Sequence, residues 1–117
     1  MKDLYSLFVD LSLQLCKKDD YGDKVKVRKN NAAANKLIKL QKKMRQNVDE
    51  ELLDTLLHHE DERVKENAAS FCLKINILVE QAILTLENLR DGSDDWSISF
   101  SSKMVLQLYR EGKLFLS

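Results

Sequence analysis

His58, His59, Glu60 and Asp61 stand in an unbroken run of side chains able to hold a metal or carry a proton. On a helix, consecutive side chains point about 100 degrees apart and do not converge on one ion. The paired-histidine spacing of zinc peptidases fails as well, because Arg63 stands where the second histidine would have to be. The run therefore reads as a helix end, a turn with His59 packed over it, and a cap. Asp19, Asp20 and Asp23, and later Asp91, Asp94 and Asp95, have the composition of calcium loops. With Gly22 or Gly92 at the sixth position of such a loop, the twelfth falls on Arg28 or Ile98, and neither offers a bidentate carboxylate. There is no glycine-rich phosphate cradle, no nucleophile elbow, and no serine or cysteine in a motif with histidine. Carboxylates on charge-rich helices read as a solvated face, so no general acid or base is assigned. The expectation is a protein that is not an enzyme, with no catalytic residue, cofactor or metal.

The chain has 117 residues, with 19 Lys and Arg against 19 Asp and Glu, 44% hydrophobic and 32% charged residues. That length fits one domain spanning residues 1–117, able to bury a core without disulfides or a structural metal. Cys16 and Cys72 lie far apart in apolar surroundings and read as two buried thiols of an intracellular protein. Charge at Lys2, Asp3 and Asp10 breaks up any export signal, and no run approaches the roughly 20 apolar residues of a membrane span. A cytoplasmic protein without membrane association is expected.

Apolar residues recur at intervals of three and four, as in Leu4, Leu7, Phe8, Leu11, Leu15 and in Ala33, Leu37, Leu40, Met44. Only Val25 and Val27 imitate a strand. The spacing predicts an all-α fold of about six helices: Asp3 to Lys18, Asp23 to Gln46, Asp49 to His58, Asp61 to Ile75, Ile77 to Arg90, and Asp95 to Glu111. Each of these aspartates stands where a carboxylate accepts from free first-turn amides, and the three glycines stand where helices should stop. The fourth helix has two apolar faces, with Val64, Ala68, Phe71, Cys72 and Ile75 on one side and Ala69 and Leu73 on the other. The fifth is expected to match it, with Val79, Ala82, Ile83, Leu86 and Leu89 opposite Ile77 and Leu84. Both are expected in the middle of a layered stack and the first helix at one end.

Net neutrality conceals a strong asymmetry. From Lys24 to Arg45 there are nine basic residues and no acidic one. Lys36, Lys39 and Lys43 fall on the side of this helix away from Leu37, Leu40 and Met44, and Lys42 extends the basic surface. Three readings follow: neutralisation against acidic neighbours such as Glu50, Glu51, Asp54 and Glu66, an acidic protein partner, or a nucleic-acid backbone. Lys36, Lys39, Lys42, Lys43 and Trp96 form the candidate interaction surface, with Phe100 and Phe115 extending the apolar part around Trp96. The favoured role is protein binding. Binding of a nucleic-acid backbone by the second helix is the alternative, although no aromatic residue interrupts Lys24 to Arg45 to stack on bases.

The segment Leu52 to Ile75, with Leu56-Leu57, Asp61, Val64-Lys65 and Ala68-Ala69 in order, resembles a HEAT repeat. Residues 77–117 can be laid on residues 49–75 as a second, degenerate hairpin, with Asp95 at the cap, Ile98 for Val64 and Ser102 for Ala68. Residues 1–46 would then be an N-terminal helical pair. The whole chain, with Asn35-Lys36-Leu37, His59 and Arg110-Glu111-Gly112-Lys113-Leu114, looks like a family of small bacterial HEAT-like domains of unknown function. The resemblance implies an α-α superhelix without catalytic residues that binds a protein. Bacterial immunity proteins, which bind and block a cognate toxin, include helical-repeat domains of this size.

Overall fold

The structure is a computed structural model that describes residues 4–13 and 24–114, with side chains in the second segment described from residue 32 onward. Every described element is a helix: α1 (Leu4–Leu13), α2 (Lys24–Gln46), α3 (Glu50–Leu57), α4 (Glu62–Ile75), α5 (Val79–Gly92) and α6 (Trp96–Arg110). The strand-like pair Val25 and Val27 lies inside α2. The chain separates into two compact units, Met1–Val48 and Asp49–Ser117.

In the first unit α1 packs on α2. Phe8 and Leu11 on α1, and Ala33, Leu37, Leu40 and Met44 on α2, are buried at the expected three-and-four spacing. Asp3, Cys16, Lys18, Gly22 and Asp23 lie outside the described residues, as do the side chains of Lys24, Lys26, Arg28 and Lys29.

In the second unit α3, α4, α5 and α6 follow one another as packed neighbours, and α3 also touches α5 while α4 touches α6. Three of its helices start on the predicted device. Asp49 accepts from the Leu52 amide at 3.1 Å, Asp61 from Arg63 at 2.8 Å, and Asp95 from Ser97 at 3.0 Å. α5 departs from it. The helix begins at Val79, two residues later than expected, and its N-cap Leu78 makes no side-chain cap bond. The chain turns there because Asn76 (φ 57) and Leu78 (φ 52) both adopt the left-handed conformation. Asparagine tolerates that region well, but a leucine in it is strained by its Cβ. Gly92 is the last residue of α5 and has no positive φ, so it does not stop the helix in the expected manner; Gly112 (φ 71) does, just past α6.

α4 is the covered centre of this unit. Val64, Ala68, Phe71 and Cys72 are buried on one side and Ala69 and Leu73 on the other, and none of its residues is exposed. The same expectation fails for α5. Ala82, Leu86 and Leu89 bury one side, but Leu84 is 59% exposed among Glu80, Gln81 and Asn88, and Ile77 precedes the helix. α5 has one apolar face, and Leu84 is a single apolar residue on a polar surface.

Candidate functional site

The His58 to Asp61 run is absorbed by the α3–α4 turn. The His58 ring Nδ1 lies 2.8 Å from the Asp54 carbonyl oxygen, and His59 Nδ1 accepts from the Asp61 amide at 3.0 Å. Asp61 then receives three bonds from one residue: the Arg63 amide at 2.8 Å, its Nε at 3.2 Å and its Nη2 at 3.1 Å. The Arg63 guanidinium holds the Asp61 carboxyl below its usual range, against a smaller opposing effect of burial. Among the described residues no three of His, Cys, Asp and Glu gather as metal ligands would. Cys72 is buried, and desolvation pushes its thiol up to about 12, which leaves it without thiolate reactivity at neutral pH.

Lys36, Lys39, Lys42 and Lys43 are all exposed on α2, with Lys39, Lys42 and Lys43 turned away from the buried side and Lys36 at its edge. None of the four makes an ion pair among the described residues. On a helix they cover an arc of about 120 degrees, with Lys36, Lys39 and Lys43 inside about 60.

Trp96 and Phe100 are the other prominent feature. They are four residues apart on the first turns of α6, 58% and 55% exposed, with ring centroids 6.4 Å apart at an interplanar angle of 64°. Edge-to-face is one of the arrangements that aromatic pairs prefer. The pair projects because Ile98, Ser102 and Leu106 bury the opposite side of α6. Phe115, the third expected member of the patch, lies outside the described residues.

Beside the aromatic pair the structure corrects the reading of the acidic residues as uniformly solvated. Glu66 of α4 accepts a hydrogen bond from Ser101 of α6 at 2.5 Å, and it is half-buried rather than facing water. Burial raises its carboxyl to about 7; the Ser101 bond opposes that rise and the charge of Asp95 adds to it. The sequence carried a signal for this. Glu66 lies three residues before Ala69 and seven before Leu73, on the second apolar face of α4. Ser102, the counterpart of Ala68, is fully buried, and its Oγ has no partner among the described residues. Burial also lowers Lys74, in the last turn of α4.

Charge is partitioned between the two units. Residues 1–48 hold 12 basic against 5 acidic residues, while residues 49–117 hold 7 basic against 14 acidic ones. Among the described residues no helix is long and apolar enough to cross a membrane. The chain matches no model of a known protein family, no curated protein and no solved structure.

Proposed function

We propose that the protein is a non-catalytic, protein-binding helical-repeat module, whose contact surfaces are the Trp96–Phe100 pair and the lysine face of α2. The exposed aromatic pair carries this reading. Large rigid rings held outward by a packed helix are the side chains that most often dominate binding energy at interfaces. Lys36, Lys39, Lys42 and Lys43, without carboxylate partners of their own among the described residues, steer an acidic surface into encounter. Affinity comes from the rings and rate from the lysines.

The HEAT-like arrangement belongs to the same proposal. It is supported by a match between α4 and α6 at an offset of 34 residues. Asp61 and Asp95 cap in the same way, and buried Val64, Ala68 and Cys72 correspond to buried Ile98, Ser102 and Leu106. The α3–α5 and α4–α6 contacts support the arrangement, since two stacked hairpins would make them. An immunity-type or regulatory protein is the specific form we favour.

The test is purification together with the product of the adjacent reading frame, at about 150 mM salt. Replacing both Trp96 and Phe100 by alanine should abolish the complex while leaving helical circular dichroism unchanged. Replacing Lys36, Lys39 and Lys43 by glutamate should mainly slow association. A complex indifferent to the rings contradicts the reading. Tight, steeply salt-dependent binding of duplex DNA that Lys39→Glu weakens would put the nucleic-acid alternative in its place.

A further inference from the structure

The Trp96–Phe100 patch has an acidic approach. Asp91, Asp94 and Asp95 immediately precede it, Asp91 held by Arg90 at 2.9 Å and Asp95 used in capping, while exposed Asp94 makes no ion pair among the described residues. Lys103, three residues beyond Phe100, is the nearest cation on α6 itself. The unit around the patch carries twice as many acidic as basic residues, 14 against 7. This surface suits a cationic partner that also has apolar stems to lay over the rings.

The chain itself carries such a partner. Lys39 and Lys43 are exposed four residues apart on α2, which places their stems about 6 Å apart along the axis. The two rings have the same one-turn spacing, with centroids 6.4 Å apart. Lysine stems lie well on apolar surface with the ammonium group outward, and an ammonium over an indole face gains cation–π attraction.

We propose that the lysine face of α2 in one copy of the chain docks on the Trp96–Phe100 surface of a second copy, head to tail. The inference rests on the binding-module reading and names a second copy as an occupant of the same surfaces. The contact is heterologous, because each copy offers a basic face at one site and an acidic aromatic face at another. Head-to-tail contacts of this kind close into a ring or continue as an open chain, and in either case association rises with concentration. Its strength falls with salt, since both sides are solvent-exposed charges.

Sedimentation equilibrium of the whole chain tests this at about 50 mM and about 500 mM salt, up to about 200 μM. The average mass should climb above that of the monomer at low salt and return to 13.6 kDa at high salt. The Lys39→Glu, Lys43→Glu double variant and the Trp96→Ala, Phe100→Ala double variant should each be monomeric alone. Mixed together they should form a dimer and nothing larger, because each retains one intact half of the contact. All the altered side chains are exposed, and circular dichroism confirms that the variants fold. A wild-type chain that stays monomeric at low salt overturns the proposal, as does a mixture that remains monomeric. If the chain does not self-associate but still holds a different protein through Trp96 and Phe100, this proposal fails and the binding-module reading stands.

Discussion

Asp61 ends one turn and begins the next helix with a single carboxylate, accepting from the Arg63 backbone and guanidinium together. Replacing it by alanine should cost about 1–2 kcal/mol in urea unfolding at pH 7, the range of a well-used cap. Because its folded carboxyl is held below 3.8, its contribution is present above that value and is lost as pH falls through the folded one. Glu66 has the opposite sign. Its carboxyl rises from 4.5 to about 7, so the associated stability is full below 4.5 and is lost as pH climbs through 7. Glu66→Gln, which still accepts from Ser101, should match the wild type at about pH 4 and exceed it by about 1–2 kcal/mol at pH 8. An unchanged difference across that window would mean that Glu66 is hydrated. Ser102→Ala removes a buried hydroxyl that has no partner among the described residues, and unfolding should show it to be neutral or up to about 1 kcal/mol more stable.

The helices test the layering. α4 is covered on both apolar faces and α5 on one, so Leu73→Ala should cost about 2–5 kcal/mol while Leu84→Lys should cost less than about 0.5. Amide exchange should be slowest in α4, since its hydrogen bonds open only when the unit unfolds. Much of this pattern is legible before folding: the aspartate caps, the spacing of Val64, Ala68 and Cys72, and the opposed pair Ala69 and Leu73 all follow from helical geometry. The start of α5 is not, because no glycine or proline marks Asn76 to Leu78 and a leucine gives no local sign of adopting positive φ. Nor does periodicity distinguish Leu84, at helical spacing on α5, from a core residue; only the neighbouring helices decide which flank is covered. The site divides in the same way. Trp96 and the lysines stand out as residues, whereas Glu66 and Ser101 become a pair only once α4 and α6 are side by side.

At the scale of the whole chain, neutrality is the sum of a basic first unit and an acidic second one. Such a molecule should associate in a strongly salt-dependent way although its net charge is zero. In the second unit Trp96 points outward, as the proposed contact requires. As the chain has a single tryptophan, its fluorescence reports on that residue alone. Acrylamide quenching of the dilute native chain in high salt is the direct measurement. With Trp96 58% exposed, quenching should come close to that of the urea-unfolded chain; a tryptophan that is blue-shifted and shielded from quencher under those conditions would contradict an outward Trp96.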